Sequence, residues 1–169
     1  EDIRTRANNY LQLEEPYAGE TKVLHYLEVL RDVAGFDKVA EKVVHPLTGK
    51  KIGAYYGCLL LRPGKILEFD NPENPKILED FIRAIGAEPV IYPYRNECCG
   101  GYVSLKDKEL AGNMCTDIME SAKGFGAEML ITACPLCMYN LRKQTAGDLP
   151  VVYFTELLAQ ALGVKEEMA

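Results

Sequence analysis

The chain has 169 residues, of which 48% are apolar and 26% are charged, and its formal net charge is −6. A chain of this length can bury a real hydrophobic core as one domain. The acidic balance excludes the basic stripe that nucleic-acid binding requires. No apolar run approaches the ~20 residues of a membrane span, and no charged-then-apolar leader opens the sequence. We therefore expect a cytoplasmic globular protein that has no membrane span and binds no nucleic acid.

The N-terminal part of the chain is predicted to be mostly helical. Apolar side chains recur at helical spacing on both sides of a break at residues 16–19, which contain proline and glycine. After the break, Thr21 is the expected N-cap of a helix that runs through Leu30 and ends near Gly35. We therefore expect residues 1–46 to form a helical segment that packs on the core of the following domain.

Residues 47–169 show a different pattern, in which strands alternate with helices. Short apolar runs predict four strands, at residues 52–56, 89–92, 129–132 and 151–153. Helical patterns follow each strand, at residues 77–85, 106–123, 138–141 and 155–162, with Thr155 as the N-cap of the last helix. A loop rich in proline and asparagine is expected over residues 62–75. The alternation predicts an α/β fold of Rossmann-like βαβ units with a parallel sheet of about four strands.

Five of the six cysteines share one local context, because each lies after a predicted strand and before the following helix. They are Cys58, Cys98, Cys99, Cys134 and Cys137. In an open parallel sheet, ligands bind outside the carboxyl ends of the strands. The strand pattern therefore predicts that these five thiols lie along one edge of the sheet.

The Cys134-x-x-Cys137 pair suits metal or iron–sulfur ligation. Pro135 favours the first position of a helix, so the pair is expected at a helix N-terminus. Free amides and the helix dipole at such a terminus favour thiolates over thiols. Thiolates are the ligands that soft metals and iron–sulfur clusters need.

The stretch Cys98-Cys99-Gly100-Gly101 favours a cluster over a single ion. Side chains of adjacent residues diverge, so Cys98 and Cys99 would bind different irons of one cluster more readily than one metal ion. The two glycines allow the backbone to approach a bulky ligand. A disulfide framework is disfavoured, because the chain is too large to need one and bonding Cys98 to Cys99 would strain the peptide between them.

The other candidate side chains have structural interpretations. Cys115 lies on the apolar face of a predicted helix and is expected to pack in the core. His25 and His45 lie outside the strand-end loops and carry no predicted metal or proton role. Arg62 and Arg95 flank the proposed site, and we expect them to be solvated surface residues, although either could bind an anionic substrate.

These motifs together resemble the CCG cysteine-rich domain family. The pattern is Cys58-x39-Cys98-Cys99-Gly100-x33-Cys134-x2-Cys137, and the resemblance as a whole covers nearly the whole chain. Within that family the chain most resembles the C-terminal half of the heterodisulfide reductase B subunit. The additional matching stretches are residues 22–30, 55–58, 61–63, 98–101, 133–137 and 140–141.

The resemblance implies a redox function. In the family, the five motif cysteines hold a noncubane [4Fe-4S] cluster, so the same role is expected for Cys58, Cys98, Cys99, Cys134 and Cys137. Two CCG halves cleave a disulfide substrate between them, with electrons from a partner iron–sulfur subunit. The implied partners are therefore that subunit, an N-terminal CCG half and a disulfide or thiol substrate, and the isolated domain is expected to be inactive alone. Such a protein would be cytoplasmic or peripheral to a membrane complex.

Three alternatives remain open at the level of sequence. Four of the five cysteines could hold one zinc ion in a structural or subunit-interaction domain without turnover. The cluster could instead pass electrons within a quinone-linked dehydrogenase. An aerobically prepared sample could also lose its native cofactor altogether.

Overall fold

The computed structural model describes residues 2–12, 14–143 and 148–164, and the predicted domain end at residue 169 lies outside them. Its centre is a four-stranded, fully parallel sheet in the order β2-β1-β3-β4. The strands are β1 (Lys51–Tyr55), β2 (Glu88–Val90), β3 (Met129–Thr132) and β4 (Val151–Tyr153). The predicted α/β class with a four-stranded parallel sheet is confirmed.

Helices precede the sheet and connect its strands. They are α1 (Asp2–Leu11), α2 (Tyr26–Glu28), α3 (Phe36–Glu41), α4 (Gly64–Leu67), α5 (Ile77–Ala84), α6 (Lys108–Gly124), α7 (Pro135–Lys143) and α8 (Phe154–Ala161). A π-helix, Val29–Ala34, continues α2, and two 3₁₀ turns cover Pro93–Asn96 and Val103–Leu105. Within the described ranges, no helix has the length and apolar character needed to cross a bilayer.

The sheet divides the hydrophobic core into two layers. On one face, α2, α3, α5 and α8 pack against residues such as Ile52, Tyr56 and Ile131. On the other face, α6 and α7 pack against residues such as Tyr55 and Leu130. Tyr55 and Tyr56 fall in different layers because successive side chains of a strand point to opposite faces.

The N-terminal helices differ in how they contact this core. The α2–α3 region supplies the buried residues Leu27, Leu30 and Val39. In α1, by contrast, Ile3 is 82% exposed and Tyr10 is 87% exposed. The division into a segment 1–46 and a domain 47–169 stays a prediction.

The predicted N-cap Thr21 is wrong, because α2 is capped by His25. Its ring Nδ1 accepts a hydrogen bond from the Leu27 amide at 3.1 Å, and its own amide donates to the Glu28 carboxylate at 2.7 Å. This reciprocal capping box satisfies two amides that the first helical turn leaves free. Periodicity missed the cap because histidine is not among the preferred N-cap residues.

Two other local predictions are corrected. Thr155 lies inside α8, whose N-cap is Tyr153, and the Tyr153 amide donates to the Glu156 carboxylate at 3.2 Å. The expected loop over residues 62–75 contains the short helix α4, which starts after Pro63. Both errors concern the first residues of a helix. Threonine can lie at the N-cap or inside the first turn, and proline can lie in a loop or just before a helix.

Candidate functional site

The strand order places a crevice at the carboxyl ends of β1 and β3. The chain leaves the central strand β1 to form β2 on one side and later forms β3 on the other side. At such a switch point the loops after the two central strands turn away from each other and leave room for a ligand. Cys58 follows β1 and Cys134 follows β3, so both loops at the crevice carry a cysteine.

The β1 loop is held close to the other cysteine loops. The Cys58 and Cys98 sulfurs lie 3.6 Å apart. Gly57 has a φ of +65°, and a Cβ at this position would come within 2.8 Å of the Cys137 sulfur. Only a residue without a side chain therefore lets β1 end against the sulfur of α7. Burial raises the pKa of the Cys58 thiol, and its contact with Cys98 acts in the same direction.

The pair on α7 lies at the helix N-terminus, as expected. Cys134 directly precedes the first helical residue, Pro135, and the Cys137 amide donates to the Cys134 sulfur at 3.4 Å. The pKa of Cys134 is lowered to about 6, first by a hydrogen bond from the Cys137 thiol and then by the amides of Cys137 and Leu136, against the effect of burial. Cys134 is therefore poised to be a thiolate at neutral pH.

Cys99 is the second sulfur that is stabilised as a thiolate. It is buried, and its pKa is lowered to about 7, first by a hydrogen bond with Cys137 and also by the Gly101 amide. Cys137 lies between Cys134 and Cys99, and its own pKa is raised strongly, first by its hydrogen bonds with Cys134 and Cys99 and then by burial. The structure therefore gathers Cys99, Cys134 and Cys137 into one hydrogen-bonded group.

The adjacent cysteines of the second loop point to different neighbours. Cys98 contacts Cys58, whereas Cys99 contacts Cys137. The Gly100 amide donates to the Cys98 sulfur at 3.4 Å. Gly100 has a φ of +70°, and a Cβ there would meet the α6 backbone at 3.1 Å. The glycine thus provides both the turn and the close packing that separate the two sulfurs.

Two contacts at this site were not predicted. Asn140 donates from Nδ2 to the Cys99 carbonyl oxygen at 3.2 Å and lies 3.8 Å from the Cys99 sulfur. Tyr55 is buried beneath the cysteines, and its hydroxyl donates to the Glu97 carbonyl oxygen at 2.8 Å. Helical spacing from Cys137 to Asn140 was the available signal for the first contact, since residues i and i+3 share a helix face.

The expectation for Arg95 is wrong, because this side chain is buried. It forms an ion pair with Glu79 at 3.5 Å and donates to the Asn74 side chain at 2.6 Å. Arg62 is partly exposed and donates to the carbonyl oxygens of Asn96 and Pro72. Both arginines therefore hold the loops beside the site in place.

Cys115 is confirmed as a core residue. Its side chain is fully buried in the α6 layer, and burial raises the pKa of its thiol to about 12. None of the six cysteines, all of which lie in the described ranges, forms a disulfide bond in the structure. Among the residues that the structure describes, no three His, Cys, Asp or Glu side chains are arranged to hold one metal ion.

Fold and site together define a class of protein: an open parallel α/β domain whose strand-end loops carry five cysteines, with Cys58 beside Cys98 and Cys99 beside Cys137. The chain belongs to the CCG cysteine-rich domain family, whose sequence profile matches residues 52–142. The matched segment contains all five of these cysteines, and the family resemblance predicted from the motifs is confirmed.

Curated proteins similar to the chain include components of two kinds of reductase. The 8-methylmenaquinol:fumarate reductase membrane anchor subunit of Wolinella succinogenes is 31% identical over 88% of the chain and 55% of its own length. A protein of Archaeoglobus profundus, named as similar to the heterodisulfide reductase B subunit, is 28% identical over 98% of the chain and 60% of its own length. The B subunit of the ferredoxin/F(420)H(2)-dependent CoB-CoM heterodisulfide reductase of Methanosarcina acetivorans is 27% identical over 87% of the chain and 52% of its own length. The chain thus spans little more than half the length of these relatives.

Proposed function

We propose that the chain is the iron–sulfur domain of a disulfide-reductase-type oxidoreductase. In this proposal the cluster ligands are Cys58, Cys98, Cys99, Cys134 and Cys137, and the cluster is a noncubane [4Fe-4S] centre. The observation that carries the proposal is the convergence of five thiols from three strand-end loops on one crevice. The similarity to proteins named for heterodisulfide reduction supports the assignment of a disulfide substrate.

The residues present fit an iron–sulfur cluster. The donor set consists only of sulfur, and two of its members, Cys99 and Cys134, have lowered pKa values of about 7 and about 6. Cys98 lies beside Cys58, whereas Cys99 lies beside Cys137, so the sulfurs form two groups. Two groups of sulfurs suit a cluster of several irons better than one metal ion. The absence of a side chain at Gly57 leaves room for the Cys137 sulfur, and its absence at Gly100 lets the second cysteine loop pack on α6.

The chain's own residues have distinct tasks in this function. When bound, the cluster would supply electrons for cleavage of a disulfide. The first turn of α7 orients Cys134 and Cys137 and directs its amides toward the sulfurs. Tyr55 is fully buried, and its hydroxyl fixes the start of the Cys98–Cys99 loop by donating to the Glu97 carbonyl oxygen.

The surface beside the cysteines supports a partner at this edge. An exposed apolar side chain lies close in sequence to each cysteine loop: Leu59, Tyr102, Leu136 and Tyr139. We propose that the remainder of a longer polypeptide, with an N-terminal CCG half, covers this edge, and that a partner iron–sulfur subunit supplies electrons. The isolated domain would then be inactive alone, and the assembly would be cytoplasmic or peripheral to a membrane complex.

A second candidate is electron transfer within a quinone-linked reductase. The specific observation is the 31% identity to a protein named for 8-methylmenaquinol:fumarate reductase. Anaerobic assays of the assembled complex with a disulfide and with a menaquinol analogue separate the two candidates, because the first predicts thiol formation from the disulfide and the second predicts quinol oxidation.

A matched pair of serine variants tests the ligand set. Cys99→Ser should sharply reduce the iron retained after anaerobic reconstitution, because it removes a proposed ligand. Cys115→Ser should retain as much iron as the wild type, because Cys115 is buried in the α6 layer outside the set. Loss of iron in Cys115→Ser, or full retention in Cys99→Ser, would show that the ligand set is wrong.

A further inference from the structure

Asn140 is a polar side chain buried directly beside the proposed ligands. Its exposed fraction is 0%, and it lies on α7 one turn after Cys137. Its Nδ2 group donates to the Cys99 carbonyl oxygen at 3.2 Å and approaches the Cys99 sulfur at 3.8 Å. One amide group therefore contacts both the backbone and the thiol of the same cysteine.

The carbonyl oxygen of the Asn140 side chain, Oδ1, is buried and makes no hydrogen bond within the described part of the chain. An unsatisfied buried acceptor destabilises a protein, and an apolar residue at this position would avoid that cost. The position therefore retains an amide for its donor group, which faces Cys99.

Cys115 provides an internal comparison. Its thiol also donates to the Cys99 carbonyl oxygen, at 3.3 Å, from the neighbouring helix α6. The Cys99 carbonyl oxygen thus accepts from both Asn140 and Cys115. Of these two residues, Asn140 also contacts the Cys99 sulfur. The contact between Nδ2 and sulfur is what distinguishes the two positions.

We propose that Asn140 is a positioning residue of the cysteine site, which holds Cys99 toward Cys137 and withdraws electron density from the Cys99 sulfur through its Nδ2 donor. This inference rests on the proposed function for its effect on a cluster. Hydrogen bonds to ligand sulfurs stabilise the more negative, reduced state and so raise the reduction potential. Removal of the Asn140 donor should therefore make the potential more negative.

The test compares Asn140→Ala, the isosteric Asn140→Asp and Cys115→Ser with the wild-type chain after anaerobic reconstitution with iron and sulfide. We expect both Asn140 variants to show a more negative midpoint potential in a redox titration and an altered EPR spectrum. Cys115→Ser should match the wild type in both measurements, because its hydroxyl can still donate to the Cys99 carbonyl. Potentials and spectra of both Asn140 variants that equal those of the wild type would overturn the proposal.

A metal-free measurement separates this inference from the proposed function. Without metal, Asn140→Ala should change the rate at which iodoacetamide modifies Cys99, because the Cys99 sulfur loses both its Nδ2 donor and its fixed position, while the modification rate of Cys58 stays unchanged. If the wild type takes up no iron but this selective change is found, the proposed function fails and the positioning role stands. Equal Cys99 rates in the wild type and the variant would overturn the positioning role.

A measurement on the unaltered chain covers the case in which the variants do not fold. The two Nδ2 protons of Asn140 should exchange with solvent much more slowly than those of an exposed asparagine such as Asn9, when followed by NMR in the metal-free protein. Exchange as fast as that of Asn9 would overturn the proposal.

Discussion

Gly57 is the residue at which the path of the backbone depends most directly on the cysteine site. It combines a φ of +65° with a Cys137 sulfur that lies 2.8 Å from the position of a Cβ. A side chain here would meet both a left-handed backbone and a neighbouring sulfur. Gly57 therefore links the end of β1 to the placement of α7.

Replacement of Gly57 by alanine should damage both the stability and the site. We expect Gly57→Ala to destabilise the fold by about 1–2 kcal/mol from the positive φ alone, and to reduce iron retention because the Cys137 sulfur must move. Thermal unfolding and iron analysis check the two effects. The control is Gly124→Ala at the end of α6, where no atom lies within 4 Å of a Cβ, and this variant should be neutral or slightly stabilised. Equal behaviour of the two variants would contradict the close contact at Gly57.

At the level of elements, a buried polar network joins β1, α5 and the turn Pro93–Asn96. The Tyr56 hydroxyl donates to the Glu79 carboxylate and accepts from the Leu78 amide at 2.9 Å. Glu79 in turn forms an ion pair with Arg95. Burial raises the pKa of Glu79, while the Tyr56 hydroxyl opposes that shift. The network fixes the turn that leads into Cys98 and Cys99.

Removal of one member of this network should be costly. Arg95→Met leaves the Glu79 charge buried without its cation, so we expect a loss of about 3–5 kcal/mol in the free energy of unfolding, measured by urea titration. The matched control is Arg83→Met, whose ion pair with Asp80 at 2.7 Å lies between side chains that are 54% and 50% exposed. Its expected loss is about 0.5 kcal/mol or less. A similar loss of unfolding free energy in both variants would show that the buried ion pair stabilises the fold no more than the exposed one.

The cap of α2 predicts a pH dependence of stability. Burial lowers the pKa of His25 below 6.5, and the neutral ring must accept the Leu27 amide through Nδ1. The unfolded chain therefore binds a proton at His25 before the folded chain does. The stabilisation is complete above pH 6.5 and is lost as the pH falls from there through the folded pKa.

The histidine variants test this cap. His25→Asn keeps a good N-cap acceptor without a titrating group, so its thermal midpoint should fall less than that of the wild type between pH 7.5 and pH 5.5. Loss of the cap on protonation of His25 should reduce the free energy of unfolding of the wild type by about 1 kcal/mol. His45→Asn is the control and should keep the wild-type pH dependence. A His25→Asn curve parallel to that of the wild type would refute the role of the cap.

At the level of the whole molecule, the features that follow from local periodicity were predictable. Strands of apolar residues separated by helical patterns indicated a parallel sheet, and a parallel sheet brings strand-end residues such as Cys58 and Cys134 to one edge. The geometry of βαβ units is enough for this prediction, because it places the carboxyl ends of all parallel strands at the same edge. The family motifs added the identity of the domain.

Features that depend on partners distant in sequence could not be predicted. Arg95 was expected at the surface because its sequence neighbours do not reveal Glu79, which lies on another element. His25 was not recognised as a cap, since its role depends on a half-buried ring that packs near Phe69 and Phe154. The divergence of Cys98 and Cys99 was expected in principle, but their neighbours Cys58 and Cys137 became apparent only from the structure.

The central claim is that the five thiols at the switch point hold an iron–sulfur cluster. The most direct test is the iron, sulfide and zinc content of the wild-type chain after anaerobic reconstitution, with an EPR spectrum of the same sample. We expect about four irons and four sulfides per chain and a cluster signal. One tightly held zinc ion without sulfide would contradict it and would indicate a structural site on the same fold.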